Sequence, residues 1–495
     1  MTVDEMKIDN IIAYAKSKGF FWPSAELYGG ASGIFDYGHL GSLLKSRFER
    51  EWLRYFVDSR KNCWLIEGSN MLPEKPLIAS GHASRFNDVL VGCSKCHTYF
   101  RADVLVAENG VKISEGATSD ELDSAIKSNG IKCPKCGGMM LPSKSFNMML
   151  DVGLGPEKNE KGYLRPETAQ SAYLNFQREF NILRKSLPMG LAIIGRAYRN
   201  EISPRQGLYR MRELIQAELQ LFFDPENFRF DISEVNDIRF TVVPYSTKKP
   251  DQMNAEEIVS KLNIPEFYAY HMGLIANFYM KVLRIPAEKF RFLEKGGDEK
   301  AFYNKLHMDI EVDVESWGGF KEVGGLHYRG DYDLSSHSKG SGQDLSVVAN
   351  GKKFVPNVLE LSFGVDRNIF MLIDVFYRQV DDRNILMLPS VLAPVQAAVF
   401  ALQKDEKLEK KSQEILDSLR RFLKVETDVS GSIGRRYARM DEIGTPLCIT
   451  VDFNTVDEKS ADYNTVTVRK RDDKSQERVQ ISQLENTLKK YFEVC

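Results

Sequence analysis

Between Arg199 and Glu218 the chain places four arginines and three glutamates around one turn, in the run Arg199-Asn200-Glu201 … Tyr209-Arg210-Met211-Arg212-Glu213-Leu214-Ile215-Gln216-Ala217-Glu218. The run 190–199 before it reads as an apolar strand ending in cations. Residues 211–223 read as a second strand with polar residues interleaved, so the two form an antiparallel pair. One face of that pair carries charges of both signs. Strands rich in Ile, Leu and Phe do not need such charges for solubility. A site that holds a polyanion and an ammonium group side by side does.

Two further sets of residues suit the same chemistry. Arg367 ends a strand, 358–364, that turns at Gly364 into an apolar helical run, 368–375. Arginine is always charged and offers a planar fork of donors that matches phosphate oxygens. Arg199 and Arg367, at strand ends in different segments, could clamp a triphosphate, although for either alone a structural salt bridge is the simpler role. The carboxylates Glu167, Glu201, Glu218, Glu322 and Glu360 lie in apolar or glycine-bearing segments. Buried carboxylates need cationic partners or metal ions, and an amino group and Mg²⁺ both qualify. No GxxxxGK[ST] loop, no GxGxxG after a strand and no Ser/His/Asp arrangement is present.

Four of the seven cysteines form two pairs, Cys93/Cys96 and Cys133/Cys136. In a reducing compartment that spacing fits tetrahedral zinc held by two knuckles, with reduced thiols as the alternative. No open ligand position is required, so the role is structural. Cys63, Cys448 and Cys495 read as isolated, inert residues.

The elements that must position these groups are those of a multidomain globular chain of 495 residues with 43% hydrophobic residues and 27% charged. No apolar run approaches the length of a membrane helix. The N-terminal segment has neither a signal nor a transit composition, which implies a cytoplasmic protein. The net charge of −2 announces no nucleic acid, so any RNA contact must come from local basic patches such as Arg435, Arg436 and Arg439. Residues 40–57 form an amphipathic helix whose pattern alone favours core packing. Residues 93–136 read as an insertion with a short helix at 119–126. Residues 225–300 read as a second insertion with a helix at 268–283. A break at 380–394 separates a catalytic unit, 1–385, from a compact α/β unit, 386–495. The latter should contain strands at 395–402, 447–453 and 463–468 and helices at 407–423 and 481–492.

Taken together, these segments resemble the class II aminoacyl-tRNA synthetases, and within them the homodimeric glycyl-tRNA synthetases. The Tyr28-Gly29-Gly30 … Asp36-Tyr37-Gly38-His39-Leu40-Gly41 stretch with its helix resembles motif 1. Arg199-Asn200-Glu201-Ile202-Ser203-Pro204-Arg205 through Glu218 resembles motif 2, and Glu360 to Arg367 resembles motif 3. Leu164-Arg165-Pro166-Glu167-Thr168-Ala169-Gln170 resembles a stretch associated with the glycine enzymes. The segment around Phe320-Lys321-Glu322 and Arg329-Gly330-Asp331 resembles the approach to motif 3, and 431–446 an anticodon-binding domain.

The resemblance implies an α+β fold: a six- or seven-stranded antiparallel sheet flanked by helices, with a zinc-ribbon-like insertion and a C-terminal α/β anticodon-binding domain. It implies a homodimer through the motif 1 helix, with tRNA-Gly, glycine and ATP with Mg²⁺ as partners. Arg199 would hold the α-phosphate and Arg367 the γ-phosphate, with Glu201 at the adenine edge. Asn200, Tyr209, Arg210, Met211, Arg212, Glu213, Leu214, Glu322, Val323, Gly364, Val365 and Asp366 would complete the ATP site. Glycine would meet Arg101, Glu167, Leu214, Ile215, Gln216, Ala217, Glu218, Glu360, Leu361, Ser362, Phe363 and Gly364, and Glu360 would also be a Mg²⁺ ligand. Glycine's small size lets such a pocket reject every rival by overlap, so no editing domain is expected. Four positions depart from the pattern: His39 for proline, Ser171 for glycine, Leu214 for a stacking phenylalanine, and Gly324 for glutamate. The competing readings are a synthetase for another amino acid, a non-catalytic paralogue and a general RNA-binding protein.

Overall fold

The computed structural model describes residues 3–493 apart from 114–116, 158–159, 185, 203, 205, 298–303, 350 and 381–382. Ser203, Arg205, Asp381, Asp382 and Cys495 lie outside the described residues.

A nine-stranded sheet forms the body of the first unit. Its strands in chain order are β1 (Cys63–Leu65), β2 (Met189–Tyr198), β3 (Glu213–Phe223), β4 (Phe240–Val243), β5 (Asp251–Met253), β6 (Phe290–Glu294), β7 (Leu306–Val314), β8 (Gly319–Gly330) and β9 (Asn357–Gly364). Their spatial order is 5-4-6-7-8-9-3-2-1, antiparallel except for the β4/β6 and β1/β2 pairs. The sheet is therefore wider than the six or seven strands expected. The difference comes partly from 225–300, which sends β4, β5 and β6 into the sheet. Short strands broken by Val243-Pro244 carry little alternation, so the pattern reads as a detached segment.

The mixed-charge hairpin is present: Met189 pairs with Phe222 and Tyr198 with Glu213. Strand period then decides which side chains share a face. Ala217, Leu219 and Leu221 of β3, with Leu359, Leu361 and Phe363 of β9, enter the large apolar core. That core is closed by the helices His39–Leu53, Glu266–Asn277 and Val365–Phe376. Gln216, Glu218 and Gln220, with Glu360 and Ser362, take the other face, which the helices Ala169–Ile182 and Tyr332–Ser341 cover. Leu44, Phe48, Trp52 and Phe56 are wholly buried within one chain. The apolar stripe of the motif 1 helix is thus intramolecular core, as its pattern alone favours.

The cysteine segment is a small module with its own core. Strands Asn87–Gly92, Tyr99–Arg101 and Lys144–Asn147 form a sheet backed by helices Ala102–Glu108 and Ser119–Ser128. Thr118 and Glu121 close the second helix with a capping box, and Val91, Leu105, Val106, Leu122 and Ile126 pack between the layers.

The apolar core of the first unit runs to Val395, and a second begins at Ala397. The C-terminal unit is a five-stranded mixed sheet, with the strand Ala397–Ala401, second from one edge, parallel to both its neighbours. It includes a strand at Gln476–Gln480 and a helix at Ile433–Glu442 that the pattern did not reveal. Arg471, nearly inaccessible, ties the units by donating to the carbonyls of Leu386, Leu388 and Gly444 at 2.9, 2.7 and 2.8 Å. Among the described residues, no helix is long and apolar enough to cross a membrane.

Candidate active site

The polar face of β3, β8 and β9 floors a cavity whose walls come from the 199–211 turn, the segment before helix Ala169–Ile182 and the start of helix Val365–Phe376. It brings together residues far apart in sequence: Glu167, Arg199, Glu201, Tyr209, Arg210, Met211, Leu214, Ile215, Gln216, Glu218, Glu322, Val323, Glu360, Ser362, Gly364, Asp366 and Arg367.

At one end the side chains suit phosphate. Arg199 donates from Nε to the Pro166 carbonyl at 3.1 Å, and its guanidinium lies over the Phe86 ring. Arg367 donates to the carbonyls of Tyr209 and Glu322, both at 3.1 Å, pairs with Glu322 Oε1 at 3.1 Å and stacks over the Tyr209 ring. Burial alone would push the Glu322 carboxyl up, but Arg367, with His307 and Arg199 nearby, holds it below the usual range. Glu201 is buried and its Oε2 has no hydrogen-bond partner. An unsatisfied buried acceptor lining a cavity marks a ligand contact in waiting.

At the other end three buried carboxylates, Glu167, Glu218 and Glu360, share the floor. Glu218 receives Thr168 Oγ1 at 2.7 Å, Ser362 Oγ at 2.8 Å and Gln216 Nε2 at 2.9 Å. Burial first, then the charges of Glu360 and Glu167, push its carboxyl up to about 8. Glu167 goes the other way: burial would raise it, but His82, Gln170 and Arg329 hold it well below the usual range. Glu360 accepts from Arg329 Nη1 at 3.0 Å and Gln220 Nε2 at 2.9 Å through one oxygen. Arg329 in turn makes a two-pronged pair with Asp333, at 2.7 and 3.0 Å.

Several expected residues stand elsewhere. Glu360 stands on the pocket floor: Oε2 is taken by Arg329 and Gln220, and Oε1 lies 3.7 Å from His327. Ala217, Leu361, Phe363 and Val365 direct their side chains into the apolar core. Glu213 pairs with Arg196 at the surface. Arg212 donates to the carbonyls of Glu201 and Ser32, and the Asn200 backbone bonds to Met148, so both shape the turn without lining the cavity. Arg101 is held in its own module by Asp88 at 3.0 Å and Asp103 at 2.7 Å and is absent from the cavity wall. Asp366 lines the cavity but accepts from Tyr37 Oη at 2.6 Å, a structural clamp. No role is assigned from the sequence to Arg329, Asp333, Gln220 and His327, although Arg329 and Asp333 lie in the segment that resembles the approach to motif 3. The alternation of His327 and Arg329 with Leu326 and Tyr328 was the available signal.

The four cysteine sulfurs lie within 4.8 Å of one another, with Cys93–Cys136 at 3.5 Å and Cys96–Cys133 at 3.6 Å. Amides of Lys95 and Cys96 point at Cys93 Sγ, at 3.4 and 3.5 Å.

Comparison with known proteins gives this geometry its class. Residues 154–376 match the class II tRNA synthetase core domain (G, H, P, S and T), and residues 396–491 match the anticodon binding domain. The crystal structure of prolyl-tRNA synthetase from Cryptosporidium parvum, complexed with L-proline and AMP, superposes with a TM-score of 0.56. The alignment covers 98% of this chain and 74% of that one at 15% identity, so it speaks for the fold alone. The molecule is a class II synthetase core joined to an anticodon-binding domain.

Among curated proteins, the glycine–tRNA ligase of Aeropyrum pernix is 35% identical over 98% of this chain and 96% of its own length. That of Pyrococcus furiosus is 36% identical over 96% and 97%, and that of Methanococcus vannielii 33% over 96% and 97%. The chain belongs to the glycine–tRNA ligase family.

Proposed function

We propose that this chain activates glycine with ATP and transfers the glycyl group to the 3′ end of tRNA-Gly. The observation that carries the reading is the juxtaposition, in one cavity, of three buried carboxylates with Arg199 and Arg367. Among the described residues, Arg329 is the guanidinium within 4 Å of both Glu167 and Glu360, and it also pairs with Asp333. The negative excess is what an ammonium group would neutralise.

In the first step the glycine carboxylate attacks the α-phosphorus of ATP and pyrophosphate leaves, giving glycyl-adenylate. In the second the terminal ribose hydroxyl of tRNA attacks the glycyl carbonyl, AMP leaves, and the hydroxyl proton is lost to solvent or to AMP. The protein's part is to align two anions and neutralise developing charge. Arg199 would take the α-phosphate and Arg367 the γ-phosphate. Glu201 Oε2 would accept from the adenine amino group, Arg210 would lie over the nucleotide, and Leu214 would pack against the base without an aromatic face. Glu322 beside Arg367 fits a Mg²⁺ that screens the outer phosphates. Glu167, Glu218, Glu360 and Ser362 would receive the ammonium. ATP–pyrophosphate exchange tested with each amino acid decides the reading: exchange that does not prefer glycine would sink it.

The raised Glu218 carboxyl makes the reaction pH-dependent. Below about 8 the unliganded pocket carries Glu218 protonated, and an ammonium binds the ionised form better. The KM for glycine is therefore expected to fall as pH rises from 6.5 to 8, by up to about tenfold per unit, and then to level. Steady-state exchange kinetics across that range check this, and Glu218→Gln should raise KM and abolish the slope.

The four sulfurs also fit structural Zn²⁺. A ZnS₄ tetrahedron with Zn–S of about 2.3 Å has edges of about 3.8 Å, close to the sulfur pairs at 3.5 and 3.6 Å. Metal analysis should find about one zinc per chain, and Cys133→Ser should remove it and expose 87–147 to proteolysis. A metal-free wild type resisting protease equally well would exclude the role. The assembly we propose is a homodimer. Leu27 and Tyr28, 98% and 93% exposed in the motif 1 segment, support a covering partner, and sedimentation equilibrium tests it.

A further inference from the structure

The ammonium end of the cavity has one wall that none of the roles above uses. His327 on β8 pairs in register with Glu360 on β9, and Gly325, two residues before it on the same face, pairs with Ser362. The imidazole leans back over Gly325: a Cβ built there would meet His327 Nε2 at 2.3 Å. Nε2 also stands 3.7 Å from Glu360 Oε1, the oxygen of that carboxylate not taken by Arg329 and Gln220. The ring therefore lies over Gly325 and beside Glu360, on the face of the sheet that carries Ser362.

This position is built, not incidental. Asn304 Nδ2 lies 3.0 Å from His327 Nδ1. The His307 ring packs on the other side, with centroids 4.3 Å apart, and is itself anchored to Asp309 at 2.9 Å. The arrangement leaves Asn304 Oδ1 and His307 Nδ1 buried without hydrogen-bond partners. Loose packing would avoid that cost, so the position of the ring is fixed by its neighbours.

We propose that His327 is a specificity-determining residue of the amino-acid pocket, its ring filling the volume beside Glu360 that the side chain of any larger amino acid would need, with Asn304 and His307 as its positioning residues. The environment agrees: burial, with His307 and Arg329 alongside, holds the imidazole well below its ordinary pKa and so uncharged. A neutral ring can border an ammonium without repelling it. The inference rests on the glycine-activating reading and extends it by naming what excludes the competitor.

The test is ATP–pyrophosphate exchange by the full-length chain with glycine, L-alanine and L-serine, for wild type, His327→Ala and His327→Gln. Removing the ring is expected to raise the alanine-to-glycine ratio of kcat/KM at least tenfold, within the 10–200-fold worth of one methylene. The gain should come through the KM for alanine, and the KM for ATP should stay within about twofold as a check on folding. His327→Gln, which keeps most of the volume, should hold the ratio near wild type. Asn304→Ala, which frees the ring without removing it, should move the ratio the same way by a smaller factor. A ratio within about twofold of wild type in both His327→Ala and Asn304→Ala overturns the proposal, while glycine-dependent exchange by the wild type leaves the broader reading standing. Absence of that exchange in the wild type overturns both.

Discussion

Replacing Arg329 with alanine is expected to abolish glycine-dependent exchange and to lower unfolding free energy by about 3–5 kcal/mol, the cost of removing one member of a buried ionic cluster. The side chain is about 1% exposed. It donates to both Asp333 oxygens and to Glu360 Oε2 at 3.0 Å, lies 3.8 Å from Glu167 and stacks over the Tyr173 ring. Without it, Glu167, Glu360 and Asp333 face one another with little left to neutralise them. They must then take up protons or draw in water, and either outcome removes the charges that would hold an ammonium. Lysine should not rescue the loss, because one ammonium cannot span the fork that reaches Asp333 and Glu360 together. Denaturant unfolding with exchange on the same samples measures both effects. A stable Arg329→Ala protein with an unaltered KM for glycine would show that the cluster is not coupled to the pocket.

This expectation was out of reach of the sequence, and the reason is geometric. The hairpin 190–223, the strand ending at Gly364 and the helix after it were legible because alternation and a glycine turn are local signals. The cation opposite Glu360 was not, because the pairing of β8 with β9 joins residues about thirty positions apart and nothing local states its register. Parity along a strand was available and went partly unused. Once Glu218 and Ser362 are placed on the cavity face, Ala217, Leu361 and Phe363 must face the core, as they do. Arg101 pairs with Asp88 and Asp103 of its own module, and Asp103, two positions away, was the partner its sequence neighbourhood offered. The motif 1 helix shows the converse. Its stripe of Leu44, Phe48 and Trp52 reads as core from pattern alone, and the packing agrees.

Arg367→Ala is expected to reduce kcat/KM for ATP by about 10²–10³-fold, the scale set by losing one preorganised donor to developing charge, with the KM for glycine nearly unchanged. The side chain reaches the cavity from the first turn of helix Val365–Phe376, and its guanidinium is anchored before any ligand arrives. Two carbonyls, one carboxylate and the Tyr209 ring hold the fork in place. Burial would lower its pKa, but Glu322 more than offsets this and keeps the charge fixed. That preorganisation separates two causes that a single variant would confuse. If Arg367 matters only because it neutralises Glu322, then Glu322→Gln should restore Arg367→Ala, since the orphaned carboxylate is removed. If it acts on the nucleotide, the double variant should remain as poor as Arg367→Ala or worse, because both the cation and the carboxylate proposed to face Mg²⁺ are gone. A double-mutant cycle on kcat/KM for ATP, with stability measured in parallel, reads the difference. Arg367 lines the cavity with Arg199 and Arg210, which favours the second result.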